Sequence, residues 1–383
     1  MNQHNDSINN IPQLRFPEFE GEWEEKKLGE VLSIGSGKDY KHLGEGDIPV
    51  FGTGGLMTKV DAFLYEGETV CIGRKGTIDK PMFFNGKIWT VDTLFYTHSF
   101  KSSIPKFVYN LFQRVNWKQY NEAGGVPSLS KSTIEQIKLN LPTLPEQSKI
   151  ATFLTAVDEK LQALKKKKGL LEVYKKGVMQ KLFSQELRFK SEDGEEFGDW
   201  EEKKLGEVAE IIGGGTPDTN KEEYWNGNIQ WFTPTEIKSD YVSKSARKIT
   251  ELGMQKSSAR KLPIGTILLT TRATIGEASI AMEECTTNQG FQSLVINNEN
   301  NNIFIFNWIK ENKHELSSRA NGSTFPEISK SEIEKIVFPV PSLPEQTIIA
   351  NFLSSIDEKI KHTQTEITKT EVWKKGLLQK MFV

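Results

Sequence analysis

Two segments of the chain place their apolar residues at intervals of seven, one over residues 144–184 and one over residues 343–383. Sustained spacing of seven predicts a long helix that packs lengthwise against another helix as a coiled coil. Both segments open with Leu-Pro-Glu-Gln, and proline suits the first turn of a helix. The predicted seam, which is also our hypothesis for a partner-binding surface, consists of Ile150, Leu154, Val157, Leu161, Leu164, Leu171, Ile349, Leu353, Ile356, Ile360, Ile367 and Leu377.

Polar residues interrupt both apolar rows, at Lys168, Lys175, Thr363, Thr370 and Lys374. Such interruptions weaken a seam and can fix its register. If the two helices pair within the chain, the compact arrangement is antiparallel, with globular units at opposite ends of a rod about 57 Å long at about 1.5 Å per residue. Dimerisation of two chains through the same stripes is the alternative.

The stretches before each helix have a mixed pattern. Short β-like runs at residues 69–72, 88–91, 266–270 and 293–296 alternate with turns rich in Gly, Asn and Pro, whereas residues 107–120 and 303–317 are predicted to be helical. The mixture indicates an α+β fold with two pseudo-symmetric domains of mixed α/β structure, separated by two long antiparallel coiled-coil helices. The predicted division is a polar tail at 1–13, domains at 14–143 and 185–342, and helices at 144–184 and 343–383.

The chain also repeats itself. The string Trp-Glu-Glu-Lys-Lys-Leu-Gly-Glu-Val occupies residues 23–31 and again residues 200–208, and 20 of 43 positions are identical when residues 141–183 are aligned on residues 340–382. The sequences between these repeats differ. This organisation indicates one scaffold that presents two different working surfaces.

Composition limits the function classes. The chain has 383 residues, a formal net charge of −2 and two cysteines. It has no apolar run near the roughly 18 residues that a membrane helix needs, and too few cysteines for a disulfide framework or a zinc site, so we expect a cytoplasmic protein. Proteins that grip DNA alone are usually basic, so any DNA binding here depends on local basic patches or on a partner.

Motifs for catalysis are nearly absent. The chain has no complete phosphate-binding loop, no dinucleotide fingerprint and no pair of histidines at metal-ligand spacing. Asp158-Glu159-Lys160 and Asp357-Glu358-Lys359 resemble the end of a nuclease motif, but both lie within the predicted helices, where such charges usually face solvent. We predict no catalytic residue, no metal site and no cofactor in this chain.

The remaining candidates suit DNA recognition. Glycine turns let backbone N–H groups approach phosphate, arginine at a strand end grips phosphate or reads guanine, and side-chain amides pair with adenine. The corresponding alternatives are a plain tight turn, a structural salt bridge and a surface turn. The candidate DNA-binding residues are Ser36, Lys38, Lys41, Arg74, Lys75, Gly214, Gly215, Thr216, Arg272, Asn288 and Gln289.

The doubled architecture resembles the specificity subunit of a type I restriction-modification system. Leu-Pro-Glu-Gln twice opens a long helix that ends in Lys-Lys-Gly-x-x-Gln-Lys-x-Phe. Stretches inside the variable domains add to the resemblance, at residues 37–43, 46–52, 214–217, 223–225 and 229–231.

The resemblance implies two target-recognition domains that each read one half of a split site in double-stranded DNA. The helices would set the unread spacer and dock two methyltransferase subunits, which carry S-adenosylmethionine and methylate adenine. Motor-nuclease subunits, where present, would use ATP and magnesium to cut DNA. Two rivals stay open: an enzyme, nuclease or methyltransferase, with an unrecognised active site, and a coiled-coil interaction protein with no DNA role.

Overall fold

The computed structural model describes residues 10–272, 274–320 and 326–383. The chain divides into two compact units, the first formed by Met1–Lys167 with Thr363–Val383 and the second by Lys168–His362. Each unit therefore combines one variable stretch with a part of both long helices, which the sequence-based division had kept apart as segments of their own. Residues 1–9 of the predicted polar tail lie outside the described residues.

The first unit is built around a six-stranded sheet of order β2-β7-β5-β6-β3-β4, antiparallel except for the parallel pair β3–β6. Its strands are β1 (Glu24–Lys27), β2 (Ser33–Ser36), β3 (Ile48–Gly52), β4 (Gly55–Val60), β5 (Tyr65–Gly73), β6 (Met82–Thr90), β7 (Leu94–His98) and β8 (Lys138–Leu141). Its helices are α1 (Leu28–Val31), α2 (Pro105–Phe112), α3 (Lys131–Gln136) and the first part of α4 (Leu144–Phe183).

The second unit contains a five-stranded sheet, β10-β17-β14-β15-β12, and a three-stranded sheet, β13-β11-β16. Its strands are β9 (Glu201–Lys204), β10 (Ala209–Gly213), β11 (Trp225–Phe232), β12 (Tyr241–Val242), β13 (Arg247–Ile249), β14 (Ile267–Leu269), β15 (Ala278–Ala281), β16 (Cys285–Thr287), β17 (Gln292–Ile296) and β18 (Val337–Val340). Its helices are α5 (Leu205–Val208), α6 (Glu251–Gln255), α7 (Asn302–Glu311), α8 (Lys313–Ser318), α9 (Lys330–Glu334) and the first part of α10 (Leu343–Met381).

The two units share one strand plan. In the first unit β3 runs parallel to β6 and antiparallel to β4; in the second β11 runs parallel to β16 and antiparallel to β13. The long β6 corresponds to β15 and β16 together, because residues 282–284 interrupt the strand in the second unit. This break turns one six-stranded sheet into two smaller ones. The mixed fold and the four predicted β-like runs are therefore confirmed.

The two predicted domain helices are shorter than expected. Helix α2 ends at Phe112, whose carbonyl oxygen accepts a 2.8 Å hydrogen bond from the Trp117 indole, and residues 113–116 form a turn. Helix α7 ends at Glu311, and α8 starts after Asn312, whose side-chain amide donates to the carbonyl of Trp308 at 3.0 Å. A side chain that bonds the backbone locally competes with helix continuation.

The repeated nine-residue string forms the joint between each domain and its helix. In the first unit it provides β1 and α1, and β1 pairs with β8 just before α4 begins. In the second unit β9 pairs with β18 in the same way. The repeated glycine packs closely against the next helix, because a Cβ on Gly29 would lie 3.0 Å from the Glu135 Cβ, and one on Gly206 would lie 3.1 Å from the Glu334 Cβ.

The repeated Leu-Pro-Glu-Gln fastens the lead-in of each unit to the start of its helix. Glu146 accepts two 2.7 Å hydrogen bonds from Arg15, and Glu345 accepts bonds of 3.1 and 2.8 Å from Arg188. Both carboxylates are buried. A bidentate, charge-assisted pair of this kind is among the stronger hydrogen-bonded contacts in proteins, so the repeated motif is explained by docking the chain onto the helix.

The two long helices run antiparallel within each unit. In the first unit Lys374 of α10 pairs with Asp158 of α4 at 2.6 Å. In the second unit Lys175 of α4 pairs with Asp357 of α10, also at 2.6 Å. The seam positions Ile150, Leu154, Val157, Ile349, Leu353, Ile356, Ile367 and Leu377 are buried, and Leu161, Leu164, Leu171 and Ile360 are partly buried.

Candidate nucleic-acid interface

Three loops meet at one edge of each unit. They follow β2, β5 and β6 in the first unit and β10, β14 and β16 in the second. The Lys38 backbone N–H donates to the Thr90 carbonyl at 2.8 Å, and the Gly215 N–H donates to the Thr287 carbonyl at the same distance. These matching bonds place Lys38 and Gly215 at equivalent positions of the two units.

The glycines of these turns allow close backbone packing. A Cβ on Gly37 would lie 1.9 Å from the Val91 carbonyl oxygen, and one on Gly214 would lie 2.0 Å from that of Asn288. Gly215 is equally confined, with the Ala259 nitrogen 2.4 Å from its Cβ position, and its own N–H is already bonded to Thr287. The Gly215 N–H is therefore engaged within the protein, which favours the tight-turn alternative at this residue.

In each unit a tryptophan indole donates a hydrogen bond to the carbonyl of the equivalent loop residue, Lys38 or Gly215. The Trp89 indole donates to the Lys38 carbonyl at 2.9 Å, and the Trp231 indole donates to the Gly215 carbonyl at 2.8 Å. The two tryptophans come from different strands, since Trp89 lies on β6 and Trp231 on β11. The units therefore keep the position of this loop while changing the residues that hold it.

The first unit brings four of the candidate residues to two adjoining clefts and a fifth to the turn beside them. Ser36, Arg74 and Lys75 line a cleft of about 540 Å³, and Lys41 lines a neighbouring cleft of about 490 Å³ that shares the Asp92–Thr93 wall. Lys38 is exposed on the turn between Ser36 and Lys41. The group thus forms a basic surface at the loop edge.

Arg74 has no carboxylate partner among the described residues. Its guanidinium donates weakly to the Asp92 backbone carbonyl at 3.4 Å and lies 5.8 Å from the centroid of the Phe95 ring. Among the described residues, no acidic side chain lies within 4 Å of the charged groups of Arg74 or Lys75. Both side chains are exposed and available to a ligand.

Arg272 has a different environment. It forms a 2.9 Å ion pair with Glu327, so the salt-bridge alternative applies to it. The backbone pairing also shows which residue of the first unit corresponds to Arg272. Arg272 forms an isolated β-bridge with Glu327, as Lys75 does with Ser128. Arg272 is therefore equivalent to Lys75 rather than to Arg74; Ala273, the next residue of the predicted motif, lies outside the described residues.

The second unit collects polar groups at the same edge. The Gln289 side-chain oxygen accepts a 2.5 Å bond from the Thr216 hydroxyl, and the Asn288 oxygen accepts from the Gly290 N–H at 2.9 Å. These contacts orient both amides through their oxygens. Their NH₂ groups make no hydrogen bond to any residue that the structure describes, and Gln289 is exposed.

The sequence offered no sign of a further residue at this edge, Arg247. Its guanidinium carbon lies 3.6 Å from the ring centroid of Trp225 and 5.6 Å from that of Trp231. The register of β11 and β13 places Arg247 directly opposite Trp231. Only strand pairing brings these residues together.

Most seam residues of the helices pack within their own unit, as the coiled-coil prediction requires. The buried ones, with the exception of Ile367, contribute to the two main cores. Partner binding through the partly buried ones stays a prediction. The apolar residues that the helices leave exposed are different ones, including Val173 and Tyr174 on α4 and Val372 and Trp373 on α10. These two pairs occupy equivalent positions in the repeat.

The structure offers no support for a catalytic centre in the described ranges. Asp158 and Asp357, from the nuclease-like triplets, form ion pairs with lysines. Among the residues that the structure describes, no group of three or more His, Cys, Asp or Glu could hold a metal ion. Both cysteines are buried. Burial raises the pKa of the Cys71 thiol and raises the pKa of Cys285 to about 12. None of the described helices is long and apolar enough to cross a membrane.

Comparison with known proteins identifies the repeated domain. The family model of the type I restriction modification DNA specificity domain matches residues 20–173 and again residues 198–371. The MjaIX type I restriction enzyme specificity subunit of Methanocaldococcus jannaschii is 39% identical over 193 residues, which is 48% of this chain and 45% of that relative's length.

Two further similarities span more of the chain. The MjaVIII specificity subunit of the same organism is 28% identical over 340 residues, covering 82% of this chain and 76% of that protein. The crystal structure of the type I restriction-modification S subunit from M. genitalium superimposes with a TM-score of 0.67 at 17% identity, covering 97% of this chain and 99% of that one. At this identity the superposition shows a shared fold.

Proposed function

Because this chain belongs to the type I restriction-modification DNA specificity family, we propose that it is the non-catalytic subunit that gives such a complex its DNA target. Each unit reads one half of a bipartite site in double-stranded DNA. The observation that carries this proposal is that equivalent loops of one fold present different side chains. The first unit presents Arg74 and Lys75, which have no acidic partner among the described residues, and the second presents Asn288 and Gln289, to which Arg247 of β13 adds a basic group.

Partner subunits supply what this chain lacks. With a net charge of −2, the chain has only local basic patches for phosphate contacts, so we propose that other proteins contribute further ones. We propose two methyltransferase subunits that bring S-adenosylmethionine, and motor-nuclease subunits, where present, that bring ATP and magnesium. The repeated exposed pairs Val173–Tyr174 and Val372–Trp373 support two equivalent docking positions. The complex acts in the cytoplasm, where its DNA target lies.

Sequencing of modified bases in cells that carry the complex tests this function. We expect methylated adenines in one motif made of two specified halves around an unspecified spacer, and loss of this methylation when the gene for this chain is deleted. Methylation in one continuous motif would contradict reading by two units. DNA cleavage or methylation by the purified chain alone, supplied with magnesium or S-adenosylmethionine, would favour the enzyme alternative.

A further inference from the structure

We propose that Arg247 reads a guanine in the half-site bound by the second unit, with its guanidinium held ready by Trp225 and Trp231. This inference rests on the proposed DNA-recognition function. It assigns a specificity-determining residue to one side of the bipartite target.

Two indole rings fix the plane of the guanidinium. The Arg247 guanidinium carbon lies 3.6 Å from the Trp225 ring centroid, which is stacking distance, and the two indoles meet edge to face with centroids 5.0 Å apart at 86°. Stacking of an arginine on an aromatic face restrains its orientation while leaving its N–H edges free.

Hydrogen bonds and burial hold the indole rings of Trp225 and Trp231 in place. Each indole N–H donates to a backbone carbonyl, Trp225 to Asp218 at 3.1 Å and Trp231 to Gly215 at 2.8 Å. Their exposed fractions are 7% and 4%. The platform under Arg247 is therefore part of the packed interior, so the arginine does not have to order it when a ligand binds.

The guanidinium of Arg247 stacks on tryptophan but makes no ion pair in the part of the chain that the structure describes. The side chain is exposed, and no carboxylate of the described residues lies within ion-pair distance of it. The arginines at structural joints have such partners, as Arg15 has Glu146 and Arg188 has Glu345. A restrained and unpaired guanidinium on the surface indicates an anionic or acceptor-rich ligand.

Arg247 belongs to the candidate interface. Trp231 bonds the Gly215 carbonyl, and the next residue, Thr216, bonds Gln289. This chain of contacts joins the arginine to the loop edge that presents the Asn288 and Gln289 amides. An arginine that offers two parallel donors beside such amides matches the row of acceptors and donors in a DNA major groove.

The residue at the strand position of Arg247 differs between the two units. Trp231 pairs with Arg247 on one side and Thr286 on the other, and in the first unit Val50 pairs with Thr58 and Trp89 in the same way. The equivalent of Arg247 is thus Thr58, which is exposed. A scaffold residue would be expected to repeat, as Arg15 and Arg188 do, whereas a residue that reads one of two unlike half-sites would not.

A guanine fits these features better than a phosphate. A phosphate also accepts two bonds from a guanidinium, but a flexible lysine supplies the same charge, and a phosphate contact carries no sequence information. The O6 and N7 acceptors of guanine need two donors in one plane, and stacking on Trp225 holds the guanidinium in a plane. Because the first unit has Thr58 at the position of Arg247, the arginine is specific to one unit, which favours a base contact over a phosphate contact.

The test compares Arg247→Lys and Arg247→Ala with the control Lys190→Ala, which removes the same charge from the lead-in of the second unit. Each variant is produced with its methyltransferase partners, and methylated motifs are mapped in cells. Binding of the purified complexes is measured over a salt series on the cognate duplex and on duplexes with single G·C pairs replaced.

We expect both Arg247 variants to relax the motif at one guanine of one half-site, with the other half-site and the spacer unchanged. Affinity for the cognate duplex should fall about 5- to 150-fold, equivalent to about 1–3 kcal/mol for a bidentate base contact. Arg247→Lys keeps the charge and should still relax the motif. The control should leave motif and affinity unchanged.

Three results would overturn the proposal. An unchanged motif with a uniform loss of affinity on all duplexes and a shallower salt dependence would identify a phosphate contact. An unchanged motif with unchanged affinity would make the stack purely structural, which a lowered Tm of Arg247→Ala would reveal. Relaxation by Arg247→Ala alone would contradict bidentate reading. If the unmodified complex shows no bipartite methylation, the proposed function fails instead.

Discussion

At the scale of single residues, the environment of each arginine separates structural roles from recognition. Arg15 and Arg188 dock the lead-in of each unit onto buried glutamates, and Arg272 pairs with Glu327. Arg74 and Arg247 contact aromatic rings and have no acidic partner among the described residues. The residue type is the same throughout, so the available neighbours decide which arginines a nucleic acid can use.

Arg74 and Arg272 therefore form a matched pair for mutation. We expect Arg74→Ala to weaken DNA binding by the assembled complex about 5- to 10-fold, because it removes a free cation from the basic clefts, with little change in Tm. Arg272→Ala should cost at most about 0.2–1 kcal/mol of stability, as is usual for an exposed ion pair. Fluorescence anisotropy and thermal unfolding measure the two effects. Equal losses of DNA affinity would contradict the distinction.

At the scale of elements, polar residues interrupt the apolar seam of the long helices at a few positions. Lys175 and Lys374 occupy rows that are mostly apolar, and their side chains are only 10% and 13% exposed. Each lysine finds an aspartate on the opposite helix, Asp357 or Asp158. A sliding of either helix by one heptad would take the aspartate away from each lysine and put Ala151 or Lys165 opposite Lys374, and Ala350 or Gln364 opposite Lys175. Because no carboxylate stands at these positions, the two ion pairs favour the observed antiparallel register.

Breaking one pair should destabilise one unit. We expect Asp158→Ala to lower the unfolding free energy of the first unit by about 1–3 kcal/mol, because Lys374 keeps only a neutral partner, Gln113. Asp357→Ala should cost the second unit less, since Lys175 retains Asp240 at 3.8 Å.

The two cysteines provide the measurement. Cys71 is buried in the first unit and Cys285 in the second, so a thiol reagent reaches each only when its own unit opens. Labelling across a denaturant series, resolved by peptide mass, should show earlier exposure of Cys71 in Asp158→Ala and of Cys285 in Asp357→Ala. Labelling of both thiols in the native protein would exclude this interpretation.

At the scale of the whole molecule, both long helices pass from one unit into the other, with the boundaries at residues 167/168 and 362/363. The repeated strings, joints and ion pairs lie outside the loops that differ. One scaffold is thus used twice, and replacement of the loops changes the surface without changing the joints.

The role of the helices as a spacer stays a prediction that insertion can test. A short helical segment added near Lys168, with a matching segment near His362 to keep the pairs in register, should lengthen the unread spacer and preserve both half-sites. Mapping of methylated adenines measures the result, and substitution of the same positions without insertion serves as control. Altered half-sites would show that the helices do more than set distance.

The sequence by itself determined the two long helices, the four β-like runs and the doubling. Heptad spacing, a proline in the first turn and identical strings are local or periodic signals, and a helix forms from contacts between near neighbours in the chain. The start of both long helices and the four β-like runs followed from such signals.

Only the tertiary structure decided which polar groups are free. Arg272 and Glu327, or Arg247 and Trp225, are far apart in sequence and meet through strand pairing, whose register is set by the buried face of the whole sheet. For the same reason, only the structure showed that the turn at Gly214 and Gly215 is closely packed and that most seam residues of the long helices are buried within their own unit. Pairing between distant residues is a property of the packed fold, and no local pattern carries it.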